Sequence, residues 1–275
     1  MITPYASGRG WTLYHAPCEV VLPCLEPGSV DALVTDPPYS SGGFTRGDRN
    51  ADPRTKYATS SSDVASRTPT FSGDNRDQRS FLLWSMLWLE MARAACREGA
   101  SIAVFSDWRQ LPTVTDAIQI GGWVWRGIGQ WEKVNARPQM GRPRQSAEYL
   151  VWGSNGPMPI EGAGAPLPGY VVASSVPERD RLHLTQKPDE VMRWAVGICP
   201  PGGLVLDPFC GSGSTGVAAL ATGRRFVGVE RDPAYAEIAA RRLRAAEATG
   251  EQLTMPATPA WTIPALAGGM QEVLF

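Results

Sequence analysis

Leu204-Val205-Leu206-Asp207-Pro208-Phe209-Cys210-Gly211-Ser212-Gly213-Ser214-Thr215-Gly216 decides how this chain folds. Three apolar residues make a short buried strand, a glycine turn follows, and a helical pattern runs from Ser214 to Ala221. Glycines let the chain bend tightly and let a ligand approach the backbone amides that face it at a helix N-terminus. The next apolar run, 226–229, ends in Glu230, 19 residues after Gly211. In a β-α-β unit, that is where a carboxylate can accept hydrogen bonds from both ribose hydroxyls of a nucleoside. Gly211, Gly213 and Gly216 also satisfy G-x-G-x-x-G, so a nicotinamide-cofactor enzyme stays open, as does a plain tight turn. The strand–turn–helix–strand–acid context favours an adenosine-containing cofactor.

Outward from this segment, short apolar runs alternate with helical patterns, as in a parallel α/β sheet. Strands are expected at 11–14, Val30–Thr35, 101–105, 204–206 and 226–229. Helices are expected at 78–97, where Gly99 would stop the first, and at Leu111–Ile120, 189–198, Ser214–Ala221 and 233–248. Two aromatic, β-prone runs, 123–131 and 149–152, flank a Pro/Arg/Gly loop and suggest an antiparallel pair at a sheet edge. Residues 40–77 carry little periodicity, and 154–182 are Pro/Gly-rich and read as irregular chain. Phe81, Trp84, Trp88 and Met91 stand at helical spacing, so Trp84 and Trp88 read as core or subunit interface rather than as a base-stacking surface.

The strand Val30–Thr35 stops at Asp36-Pro37-Pro38-Tyr39, because two prolines cannot continue a ladder. Strand ends flanking a topological switch point form the ligand crevice of such sheets. A carboxylate, a proline-fixed carbonyl and an aromatic ring at one strand end suit an exocyclic amino group on a nucleobase. The lone pair of that nitrogen is delocalised into the ring. Asp36 and the Pro37 carbonyl can each accept one of its N–H bonds, favouring a pyramidal nitrogen whose lone pair points at an electrophilic methyl. Tyr39 can stack on a base held outside the duplex. This is positioning with electrostatic stabilisation, without a metal or a covalent intermediate.

The two elements together resemble those of the DNA amino-methyltransferases, which move a methyl group from S-adenosylmethionine to adenine N6 or cytosine N4. Asp36, Pro37, Pro38 and Tyr39 match the family's catalytic tetrapeptide, and Asp207 to Gly213 its cofactor loop. The tetrapeptide comes first, as in the circularly permuted β group. The resemblance implies a Rossmann-like, mostly parallel sheet with an antiparallel edge pair. It implies S-adenosylmethionine contacts from Asp36, Asp207, Phe209, Gly211, Ser212, Gly213, Thr215 and Glu230. His183-Leu184-Thr185-Gln186-Lys187-Pro188 resembles the segment that helps hold the methionine end, which adds Lys187. Tyr235 resembles the aromatic that follows the ribose-side acid. No residue is carried over for the adenine side, where the family's Gly-Asp reads Ala16-Pro17. The family's place is in DNA methylation, restriction–modification included.

The resemblance makes 1–248 one catalytic domain, with target-recognition insertions at about 40–77 and 135–182 and an extended tail at 249–275. Arg46, Lys56, Arg137, Arg142 and Arg144, with Arg49 and Arg54 nearby, are candidates for contacts to DNA phosphates or base edges. Solvated loop charge is the bland alternative. Double-stranded DNA is the expected partner, with a homodimer kept among the assemblies. Asp36 favours adenine N6, since the family's cytosine enzymes more often carry Ser there. Other readings stand beside this one: amide methylation by related Pro-Pro-Tyr enzymes, a dinucleotide oxidoreductase, and an inactive DNA- or cofactor-binding module. The first is opposed by Asp rather than Asn at position 36 and by the motif order.

Composition agrees with one folded domain, or one domain with insertions. The 275 residues are 43% hydrophobic and 19% charged, with a net charge of −1, which excludes disorder as the main state. The balance argues mildly against a nonspecific polyanion binder but leaves room for a local basic face. No run approaches the roughly 18 apolar residues of a membrane helix, and residues 1–11 carry no secretory pattern. Five cysteines without a C-x-x-C pair, and two histidines, make a zinc site hard to assemble and fit a reducing cytosol; the resemblance implies a cytoplasmic protein, bacterial or phage-encoded.

Overall fold

A computed structural model describes residues 2–39, 76–136, 138, 140–159, 166–177 and 186–249. Among the described residues, nine strands form one sheet: β1 (Ala6–Gly8), β2 (Trp11–His15), β3 (Val30–Thr35), β4 (Cys96–Ser106), β5 (Val124–Lys133), β6 (Ala147–Ser154), β7 (Tyr170–Ala173), β8 (Leu204–Asp207) and β9 (Arg225–Glu230). Their spatial order is β1-β2-β9-β8-β3-β4-β6-β5-β7. The run β2-β9-β8-β3-β4 is parallel, and β6 lies antiparallel to both β4 and β5. The expected antiparallel pair is thus present, but the sheet's edge beyond it is β7, which runs parallel to β5.

The helices are α1 (Cys18–Val21), α2 (Gln78–Ala95), α3 (Leu111–Ile120), α4 (Asp189–Val196), α5 (Ser214–Ala221) and α6 (Pro233–Thr249). Strand residues alternate between the two faces of the sheet. Ala32, Val34 and Val205 meet Val191, Met192, Ala219 and Ala240 of α4, α5 and α6 on one face. Val30, Leu33 and Leu206 meet Phe81, Trp88, Leu89 and Ile118 of α2 and α3 on the other. Because helices cover both faces, the central strands are mostly buried and read as largely apolar runs.

The boundary between α2 and β4 differs from the sequence expectation. Helix α2 ends at Ala95 rather than at 97, and β4 begins immediately at Cys96. Pairing of Cys96 with Val30 and the Arg97 Nε bond to Asp31 (2.7 Å) draw this segment into the sheet. Gly99, at φ +75°, lies inside the strand, where the β3 register shifts. Within 154–182, read as irregular, β7 forms by pairing with β5, and the Trp131 indole donates to the Ala173 carbonyl at 3.0 Å. Arg46, Arg49, Arg54, Lys56, Arg137, residues 183–185 and the tail from 250 lie outside the described residues. Arg142 and Arg144 are described and exposed.

Candidate active site

β3 and β8 are parallel neighbours in the middle of the sheet. From β3 the sheet continues through β4 to one side; from β8 it continues through β9 to the other. Their carboxyl ends therefore flank a switch point, and Asp36 and the glycine loop leave it side by side. Thr35 joins them, its hydroxyl donating to Asp207 Oδ1 at 2.6 Å. A cavity of about 630 Å³ opens above this edge. Asp36, Pro37, Pro38, Tyr39, Lys187, Asp207, Phe209, Gly211, Ser212, Thr215 and Glu230 all line it. Gly213 lies behind the wall. It caps α5 at φ +82°, and a Cβ there would come within 3.2 Å of Ala239.

On the β3 side, both oxygens of Asp36 are engaged. Oδ1 accepts from the Tyr39 hydroxyl at 2.5 Å, and Oδ2 from the Lys187 ammonium at 2.5 Å. Burial raises the Asp36 pKa above the ordinary value, against the pull of Lys187. Burial also pushes the Tyr39 hydroxyl far up, with the Asp36 charge adding to it, so the phenol stays a donor. The Lys187 ammonium, on the segment before α4, points at this tetrapeptide: its partners are Asp36, Tyr39 (3.1 Å) and Glu148 (3.1 Å). Resemblance alone had pointed it at the cofactor's methionine end.

On the β8 side, Asp207 acts mainly as a clasp. Oδ1 also accepts the Phe209 amide at 3.0 Å, and Oδ2 accepts the Thr215 hydroxyl at 2.5 Å, so one carboxylate ties β3, β8 and α5 together. Burial lifts its pKa to about 6. Glu230 accepts the Gly211 amide at 2.8 Å and the Asp232 amide at 2.8 Å, and burial lifts it to about 7. From α6, Arg242 Nη1 donates to the Ser212 carbonyl (2.8 Å) and to the Ser214 hydroxyl (3.0 Å), bracing the loop from behind.

Sequence reasoning missed two parts of the site. Glu148 and Lys133 stand on β6 and β5, where antiparallel pairing brings them together; their ion pair forms across the strands. Trp84 also lines the cavity, 5.3 Å from the Phe209 ring and bonded through its indole to Glu19 at 3.0 Å. Its helical spacing with the buried Trp88 had hidden that exposure to the cleft.

The cavity fits S-adenosylmethionine in size and in chemistry. Such a pocket is within the range of small-ligand sites. It offers the Glu230 carboxylate for ribose hydroxyls, the Phe209 and Trp84 rings with Pro17 for a flat heterocycle, and carboxylates for a cationic centre. Among the described residues, no group of three or more His, Cys, Asp or Glu side chains clusters as metal ligands, and no helix is long and apolar enough to cross a membrane.

Residues 166–241 match a family model described as DNA methylase, for N6 and N4 enzymes. The chain is 24% identical over 268 residues to the type II methyltransferase M2.DpnII of Streptococcus pneumoniae, covering 90% of this chain and 95% of that one. It is 25% identical over 265 residues to M2.LlaDCHI of Lactococcus lactis subsp. cremoris, covering 88% and 93%. In fold it is similar to the cytosine-N4-specific PvuII DNA methyltransferase (TM-score 0.65, 16% identity, 88% of this chain and 89% of that one). It is also similar to M1.HpyAVI in complex with S-adenosylmethionine (TM-score 0.60, 22% identity, 85% and 98%). Motif order, the family model over 166–241 and relatives that span nearly the whole chain make this protein similar to the β-group DNA amino-methyltransferases.

Proposed function

We propose that the protein methylates adenine N6 in duplex DNA, on a base swung out of the stack into the cleft beside Asp36. The observation that carries this reading is the meeting of Asp36 and Gly211 on the wall of one cavity. S-adenosylmethionine supplies an electrophilic methyl on its sulfonium. Asp36 and the Pro37 carbonyl accept the two amino hydrogens, turning the nitrogen lone pair toward that methyl. Pro38 fixes the turn that aims them, and the Tyr39 ring supports the base while its hydroxyl orients Asp36. Glu230 receives the ribose hydroxyls, and Phe209, Gly211, Ser212 and Thr215 shape the cofactor's seat. Desolvation in the closed cleft strengthens each of these contacts.

Asp at position 36 is what favours adenine over cytosine. We assign residues 1–248 to one catalytic domain, with target recognition shared by about 40–77 and 135–182. Arg142 and Arg144, both exposed, join Arg46, Lys56 and Arg137 as candidate DNA contacts. A bacterial cytoplasm, where the curated relatives' hosts keep their DNA, is the setting this function requires. Nucleoside mass spectrometry of DNA from an expressing strain tests the assignment. N6-methyladenine is expected with the intact protein and absent with Asp36→Ala. N4-methylcytosine would reverse the base, and no methylated base in either strain would overturn the reading.

A further inference from the structure

Four charged side chains alternate in sign along a line leading away from the cleft. Asp36 meets Lys187 at 2.5 Å, Lys187 lies 3.1 Å from Glu148 Oε2, and Glu148 Oε1 pairs with Lys133. Each member comes from a different element: the β3 end, the segment before α4, β6 and β5. Lys187 is 5% exposed and Glu148 15%, so neither is a solvated surface charge. Isolated ions at such depth are costly, and the neutral, alternating arrangement offsets that cost.

The contacts within the chain are unequal. Lys187 donates a hydrogen bond to Asp36 at 2.5 Å, whereas its contact with Glu148 Oε2 is longer, at 3.1 Å. That oxygen has no other hydrogen-bond partner among the described residues. Glu148 therefore has acceptor capacity to draw closer an ammonium that now bonds Asp36 most tightly and also reaches Tyr39. This matters for the proposed reaction, on which the inference rests. Asp36 must offer a lone pair to the base's amino hydrogen while Tyr39 and Lys187 already occupy both of its oxygens. A carboxylate oxygen has room for a second donor. Its acceptor strength, however, falls as an ammonium closes on it.

We propose that Glu148 is a positioning residue for methyl transfer: it shares the Lys187 ammonium with Asp36, so that Lys187 can lean toward Glu148 when a base's amino group reaches Asp36. Lys133 neutralises Glu148 from the far side and limits how strongly it competes. The other titratable groups near this line are Tyr39, Asp107 and Asp207: Tyr39 remains a neutral phenol on which Asp107 acts, and the charges of Asp207 and Asp36 repel one another.

Glu148→Gln keeps the shape and removes the competing charge. The expected result is a kcat lowered about 10- to 100-fold, the scale set by mispositioned reacting groups. The Kd for S-adenosylmethionine should stay near wild type, the melting temperature should fall because Lys187 and Lys133 lose a partner, and Glu148→Asp should restore part of the rate. The carboxyl titration of Asp36, followed by carbon NMR on aspartate-labelled protein, needs no DNA. Its midpoint should fall in Glu148→Gln, since the Glu148 charge raises it in the intact protein. Should Glu148→Gln fail to fold, Lys133→Met serves, and there the midpoint should rise. An unmoved midpoint, an unchanged kcat, or a cofactor affinity lost in step with kcat would overturn the proposal. A wild-type protein that titrates as described yet methylates no DNA would instead overturn the functional reading.

Discussion

The hydroxyl of Thr35 donates to the carboxylate of Asp207 across 172 residues of sequence, at 2.6 Å and out of contact with solvent. Each of these residues stands next to a functional element: Thr35 precedes Asp36, and Asp207 opens the glycine loop. One hydrogen bond thus fixes the spacing between Asp36, the proposed amino-group acceptor, and the loop proposed to seat the cofactor. Thr35→Val keeps the shape but leaves Asp207 short of a donor. A loss of about 1–3 kcal/mol in denaturant unfolding is expected, together with a lower kcat; unchanged values would show that the clasp does not set the geometry.

Arg242 reaches the loop from behind, on Ser212 and Ser214, without lining the cavity. Arg242→Ala should weaken S-adenosylmethionine binding by about 1–2 kcal/mol, the worth of a charge-assisted hydrogen bond or two, as read by titration calorimetry. Wild-type affinity would mean that the loop holds its shape unaided.

Gly213→Ala puts a side chain at φ +82°, against Ala239. The left-handed conformation alone costs about 1–2 kcal/mol, so thermal unfolding should occur at a lower temperature. A variant as stable as the wild type would contradict the loop geometry.

Glu230 carries a pH signature. Burial raises its pKa from 4.5 to about 7 in the folded chain, so folding favours its protonated form. Its contribution to stability is present below the unfolded value and is lost as pH rises through about 7. Relative to wild type, Glu230→Gln should therefore gain stability between pH 5 and pH 8 in the absence of ligand. Ribose hydroxyls donate to the ionised carboxylate, so cofactor affinity in the wild type should rise over the same window and stay flat in the variant. Parallel profiles would remove Glu230 from the ribose site.

DNA affinity should fall steeply with salt, by about 0.9 in log K per neutralised phosphate. Replacing Arg142 or Arg144 with Ala should each reduce that slope by about 1. An unaltered slope would assign those side chains to solvent.

The central strands and the two loops were legible because each compresses its meaning into contiguous residues. Val30–Thr35 is apolar and stopped by two prolines, and residues 204–216 carry strand, turn and helix start in one run. Their meeting followed from the switch-point rule for parallel sheets. What escaped was built by pairing between distant segments. The Glu148–Lys133 contact depends on the β5–β6 register, and the Lys187 ammonium finds Asp36 across 151 residues. Propensity extended α2 to residue 97, but sheet pairing with Val30 claimed Cys96 and Arg97. Helical spacing marked Trp84 as core, although the turn of α2 that carries it faces the cleft.

The most direct test pairs a cofactor-binding measurement with transfer of an isotopically labelled methyl from S-adenosylmethionine to duplex DNA, in wild type and Asp36→Ala. Wild type should label the DNA, and the variant should bind the cofactor yet transfer no label. Labelling by both proteins, or by neither while the cofactor is bound, would contradict the role given to Asp36 beside the Gly211 loop.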